Sequence, residues 1–242
     1  MIVEVTGPSG VGKSTYITYI LNTLSKSGTK TGTILNSEMN NCELIPSYFS
    51  DLESQNIVTD IFALPWFFIF ILKNPKFFLF FLRNLHKINT SFSEKLAIFR
   101  SFIRKSGIRC FLNQKKFNDT IILVDEGLFH SSHNFLCSPI HCAEKKEIES
   151  FFDLCPFPDR LILLNGPKKK LIEQLKKRGN LSPRIKDIGN LENFIEHSQG
   201  LFTILEKLCK LNNQGICIEV GDFNEKNDLG IDFILSRHNI KN

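Results

Sequence analysis

Short apolar runs alternate along this chain with longer stretches in which apolar residues recur every three or four positions. The runs Ile2–Thr6, Gly32–Leu35, Ile121–Asp125, Arg160–Asn165 and Ile216–Val220 are rich in β-branched residues and leucine, and each is bounded by turn chemistry or a charge. Continuous apolar strands of this kind are buried on both faces, as in a parallel sheet. Helical periodicity fills the gaps at Ser14–Ser25, Ala143–Phe152, Lys168–Arg178, Leu191–Leu211 and Glu225–Leu235. The alternation predicts an α/β fold around a five-stranded parallel sheet.

The interval 39–119 stands apart. It carries no convincing strand, and its helical signals are interrupted by Pro46, Pro65 and Pro75. It reads as a helical insertion between the second and third strands. Within it, Ile61–Leu72 and Phe77–Leu82 are almost wholly apolar, and eight phenylalanines fall between Phe62 and Phe81. Neither piece reaches the ~20 residues of a membrane-spanning helix. Two readings lead, a pair of core helices broken at the prolines or a surface for a peripheral membrane or protein contact, with a true span as the remaining one.

The chemistry begins after the first run. Gly7-Pro8-Ser9-Gly10-Val11-Gly12-Lys13-Ser14-Thr15 fits the phosphate-loop pattern G-x-x-x-x-G-K-[ST], set between a strand and an amphipathic helix. Glycines let the loop curl with its N–H groups pointing inward, and the helix adds the positive end of its dipole. Lys13 is expected to bridge the β- and γ-phosphates of ATP, Ser14 to ligate Mg²⁺, and Thr15 to reach the α-phosphate.

Other candidates lie at strand ends, where open α/β sheets bind ligands. Ile121–Asp125 ends in Asp125-Glu126, and a carboxylate there holds magnesium through water, unless it only caps the next helix. Glu38, after the second strand, is either a base for an acceptor hydroxyl or an ordinary exposed carboxylate. Arg178 and Arg184 either close over the triphosphate or belong to a solvated basic face. His130, His133, Cys137, His141 and Cys142 crowd one stretch but lack the paired C-x-x-C half-sites of a zinc centre. His130 reads better as a polar wall of the substrate pocket. Val220–Phe223 is a weak candidate for packing against the nucleotide base.

Composition narrows the class. A chain of 242 residues with 42% hydrophobic content can build one large α/β domain or two small ones, and reads as one. Its net charge of +5 suits anionic substrates such as nucleotides and is too small to argue for nucleic acid, which is not expected. The amino terminus enters the first strand without a signal-peptide pattern, and seven scattered cysteines beside a nucleotide loop suggest a reducing, cytoplasmic setting.

On four places the chain resembles the P-loop nucleoside and nucleotide kinases, the group holding thymidylate-kinase-like and adenylate-kinase-like enzymes. They are Gly7–Thr15, the acidic end at Asp125, the Asp159–Pro167 strand leading into Lys168–Arg178, and the loop to Arg184. The resemblance implies a three-layer P-loop NTPase fold over residues 1–242, with sheet order 2-3-1-4-5 and an acceptor-binding region in the 39–119 insertion. It also implies a mobile lid over about 178–190. It gives Lys13, Ser14, Asp125, Arg178 and Arg184 the roles above, and gives Glu38 the acid after strand two. One departure is plain: deoxynucleoside kinases carry an arginine soon after the acidic strand end, and this chain reads Asp125-Glu126-Gly127-Leu128-Phe129-His130.

The expectation is therefore an ATP- and Mg²⁺-dependent phosphotransferase acting on a small-molecule acceptor, nucleoside or nucleotide. Glu38, Asp125 or Glu126 would orient the acceptor hydroxyl. A nucleotide switch with water as acceptor, and a nucleotide-binding subunit using the Phe-rich surface, remain alternatives. A homodimer is left open.

Overall fold

The computed structural model describes residues 1–34, 57–113, 120–178, 188–213, 215–219 and 229–238. In chain order the elements are β1 (Ile2–Thr6), α1 (Lys13–Lys26), β2 (Thr31–Ile34), α2 (Ile57–Lys73), α3 (Pro75–Lys87), α4 (Phe92–Leu112), β3 (Ile121–Asp125) and α5 (Ser131–Phe135). There follow β4 (Cys137–Ser138), β5 (His141–Cys142), α6 (Lys145–Leu154), β6 (Arg160–Asn165), α7 (Lys168–Arg178), α8 (Ile188–Asn212), β7 (Gly215–Glu219) and α9 (Leu229–His238).

The five apolar runs pair side by side in the order β2-β3-β1-β6-β7, every pairing parallel. Counting only this sheet, that is the order 2-3-1-4-5. β1 lies at its centre and is buried along its whole length, as a strand covered on both faces must be. The register sets Val5 beside Asp125 and Thr6 beside Leu163. The loop leaving β1 and the turn leaving β3 therefore emerge next to one another at the carboxyl edge. The antiparallel ribbon β4–β5 was not legible in the sequence, because two-residue strands carry no periodicity.

The insertion between β2 and β3 is helical in its described part, with one correction. Pro65 does not break a helix; α2 runs through it. The ring removes one backbone hydrogen bond, to the Ile61 carbonyl. Pro65 lies on the exposed side, where water can satisfy that carbonyl, while Ala63, Phe67 and Phe70 on the other side are buried. Pro75 does act as a boundary, opening α3 as its first residue, where no N–H is missed. Pro46 lies outside the described residues. α4 starts at a full capping box between Ser91 and Glu94.

The helices α2 and α4 cross at very close range. A Cβ added at Gly107 would stand 2.4 Å from the Ala63 carbonyl oxygen, so only glycine fits. Around this crossing Phe102 stacks on Phe81 at 3.7 Å between ring centres and meets Phe67, Phe70 and Phe77 at 5.8–6.2 Å. A smaller apolar cluster, Ile2, Ile108, Phe111, Leu112, Ile122 and Val124, joins α4 to one face of the sheet.

The Phe-rich helices divide between the two readings. Their inner sides belong to the core, with Phe67, Phe70, Phe77 and Phe81 buried. The outer side of α2 exposes Ile61, Leu64, Phe68, Ile69 and Leu72, the last at 82%. No single described helix is long and apolar enough to cross a membrane; α2 and α3 reach that length only as a pair bent by 107°.

Candidate active site

The phosphate loop leaves β1 at Gly7 and turns on a hydrogen bond from Val11 N–H to the Pro8 carbonyl, 3.3 Å. Gly10 and Gly12 hold φ of 83° and 95°, left-handed values that suit glycine. Gly12 precedes α1, which has no side-chain cap and no acidic residue in its first turn. Its leading N–H groups and the positive end of its dipole are thus available to an anion.

Lys13 is buried and folds back over the loop. Its Nζ donates to the carbonyls of Gly7 and Pro8, both at 3.2 Å, and pairs with Glu126 Oε1 at 3.0 Å. Ser14 Oγ donates to Asp125 Oδ2 at 2.9 Å. The two expected metal-binding groups, a hydroxyl and a carboxylate from different strand–helix units, are thus adjacent.

The turn after β3 is built with some strain. Glu126 sits at φ 54°, an uncommon value for a residue with a side chain. Its carboxylate meets Lys13 and, at 3.6 Å, His130 Nε2. Burial opposes the charge on Glu126, but His130, Lys13 and Lys105 outweigh it and hold the carboxyl well below its usual range. Burial pushes the His130 imidazole well below its ordinary value, against the pull of the Glu126 carboxylate. His130 Nδ1 is hydrogen-bonded to Thr6 Oγ1 at 2.9 Å.

Glu4 is the piece that sequence reasoning missed. It is the one charged residue within β1, and it is buried. Its carboxylate accepts the His130 N–H at 2.8 Å and the Phe129 N–H at 3.1 Å, which pins the turn carrying Glu126. Burial raises its pKa, against the pull of those two N–H groups. A lone acid inside an apolar strand was the available signal. Replacing Glu4 with Gln leaves one oxygen for two donors. The expected cost is about 1–3 kcal/mol of stability, measured by urea denaturation; an unchanged midpoint would show that the turn holds itself.

A cavity of about 290 Å³ opens beside this turn, between the sheet and α4. Asp125, Glu126 and Glu4 face it from the sheet side, and Arg104, Lys105 and Arg109 from α4. Arg104 is paired with Asp60 at 3.1 Å, and Arg109 donates to the Phe157 carbonyl at 2.6 Å. Lys105 was not singled out in the sequence, because nothing in its local pattern ties it to residues some twenty positions ahead.

Not every expected residue is placed. Arg178 ends α7, and its side chain lies outside the description. Glu38, Arg184 and Val220–Phe223 lie outside the described residues, as does most of the lid at 178–190. The His/Cys stretch does not converge. Cys137 and Cys142 face the Phe194 and His197 carbonyls of α8, whereas His130 packs against Phe202 near the phosphate loop. Among the described residues no group of three or more His, Cys, Asp or Glu could hold a metal ion.

No family model matches the chain, and no curated protein matches it in sequence. Among solved structures, deoxyadenosine kinase from M. mycoides with bound dATP is similar over 99% of this chain and 100% of that one, at 15% identity and a TM-score of 0.44. The same enzyme with bound dCTP gives the same figures. Its complex with the products dCMP and a flexible dCDP has a TM-score of 0.42, also at 15% identity. On its own strand order, with the glycine loop leaving the central strand and a carboxylate ending the neighbouring one, the chain has the three-layer P-loop NTPase fold.

Proposed function

We propose that the chain is an ATP- and Mg²⁺-dependent phosphotransferase that moves the γ-phosphoryl group to a small acceptor, a nucleoside or nucleotide. The observation that carries this reading is the contact of Ser14 with Asp125 beneath a loop whose lysine is already buried. Both groups offer hard oxygen atoms, the donors magnesium prefers. Bound there, magnesium would neutralise charge on the phosphates.

The protein's own part is positioning. Lys13 would leave the Gly7 and Pro8 carbonyls and Glu126 for phosphate oxygens, and the N–H groups of the loop and α1 would take the rest. The acceptor cavity lies against Asp125 and Glu126. Glu126, held so acidic, is suited to accept a hydrogen bond from the acceptor hydroxyl and orient it. The acceptor oxygen bonds to the γ-phosphorus as the bond to the β–γ bridging oxygen breaks. ADP leaves with that electron pair, and the hydroxyl proton passes to a phosphoryl oxygen and then to water. Arg178 and Arg184 would close over the phosphates, and Glu38 is a second candidate to orient the hydroxyl.

The test is thermal unfolding with ATP, with and without magnesium, followed by ADP release across nucleosides and their monophosphates. At ligand near 100 times Kd the expected stabilisation is about 2.7 kcal/mol, removed by EDTA. Acceptor-dependent ADP release supports transfer; a basal rate unchanged across the panel favours a nucleotide switch.

The exposed stripe of α2 supports a second reading, a nucleotide-binding subunit that docks on a lipid surface through Phe68 and Leu72. Sedimentation with liposomes, lost on replacing both by Ser, would favour it; a chain that stays in the supernatant would not.

A further inference from the structure

The α4 wall of the acceptor cavity carries a cation that the phosphate-loop pattern does not account for. Lys105 shares that cavity with Glu4, Asp125 and Glu126, and its charge is felt by all three and by Lys13. Each of those carboxylates already has its own partner. Glu4 holds the N–H groups of Phe129 and His130, Asp125 receives the Ser14 hydroxyl, and Glu126 holds Lys13. Lys105 itself makes no hydrogen bond or ion pair with another described residue.

Its basic neighbours on α4 are differently placed. Arg100 and Arg104 pair with Asp60, and Arg109 donates to the Phe157 carbonyl. Among these four, Lys105 alone combines a place on the cavity wall with an ammonium that no described side chain or carbonyl holds at hydrogen-bond or ion-pair distance. Lys105 is half-buried, and that burial lowers its pKa. A cation partly removed from water gains more from an arriving anion than a fully hydrated one.

The strand-end turn makes the need specific. Its second residue is Glu126, an acid, so the turn itself offers no positive charge to a phosphoryl group on the acceptor side. Lys13 serves the donor side, from the loop. We propose that Lys105, reaching in from α4, supplies the missing charge, so that the phosphoryl group in transfer lies between the two lysines. This rests on the phosphotransferase reading and assigns that site a further catalytic residue.

The experiment compares wild type with Lys105→Met and Lys105→Arg. ATP–Mg²⁺ affinity is measured by thermal shift. Turnover and acceptor KM are measured with the best substrate among deoxyadenosine, deoxycytidine, deoxyguanosine and thymidine. Lys105→Met should lower kcat roughly 10²-fold and leave ATP affinity within about two-fold and acceptor KM little changed, the signature of a contact made in the transition state. Lys105→Arg, which restores the charge, should recover most of the loss. Should Lys105→Met fail to fold, Lys105→Gln carries the same comparison, keeping a donor without the charge.

Wild-type turnover in the uncharged variant overturns the assignment. So does a Lys105→Arg protein as impaired as Lys105→Met, with both melting early, because that pattern marks a structural ion. A wild type that binds ATP yet phosphorylates none of the four and none of their monophosphates removes the phosphotransferase reading, and the assignment falls with it. The two failures are distinguishable, since the first leaves wild-type transfer intact.

Discussion

Lys13→Ala is expected to lower phosphoryl transfer by roughly 10²–10³-fold while the chain stays folded. The ammonium is the one side-chain charge built into the phosphate loop, and in this structure it is held by two carbonyls and Glu126 within 3.2 Å. On the phosphotransferase reading, its removal takes away the charge that would follow the γ-phosphoryl group. The fold should survive because Glu126 keeps His130 and the field of Lys105 nearby, and because the loop turns on backbone contacts rather than on the lysine. Acceptor-dependent ADP release measures the first effect, and far-UV circular dichroism with thermal melting the second. Undiminished transfer in the alanine variant would contradict the site as described.

Phe102→Ala is expected to cost about 3–5 kcal/mol of stability. The ring is only 1% exposed and lies parallel on Phe81, with Phe67, Phe70 and Phe77 arranged around it. Truncation leaves a void whose walls belong to α2, α3 and α4. The loss should appear as a lower urea midpoint. Turnover should fall with it at temperatures where the wild type is unaffected, because the same helix carries Lys105 along the cavity. A shift below about 1 kcal/mol would mean that the cluster collapses into the space.

How far the molecule could be read from its sequence follows from the range of each interaction. β1, β3 and β6 were legible to the residue because a strand buried on both faces is a nearly continuous apolar run. β2 and β7, at the sheet's edges, each begin one residue earlier than expected, and the expected last residues, Leu35 and Val220, lie outside the described residues. The phosphate loop was legible because its chemistry is local: three glycines, a lysine and a serine in one turn.

What escaped was long-range or tertiary. Glu4 acts on residues 125 and 126 positions away, and Lys105 acts on the turn after β3 from another element. No window of sequence contains both partners. Pro65 was misread for the opposite reason: a local rule predicted a break, and burial of the neighbouring face of α2 overrode it. The sequence did place Ser14 and Asp125 in one site, and the structure sets them 2.9 Å apart.

The contact of Gly107 with Ala63 reaches beyond stability. Because Gly107 lies so close to the Ala63 carbonyl, α4 can neither approach α2 further nor tolerate bulk at the crossing. The breadth of the neighbouring hollow, and hence the girth of any molecule admitted to it, is thereby dictated from a position that never meets that molecule.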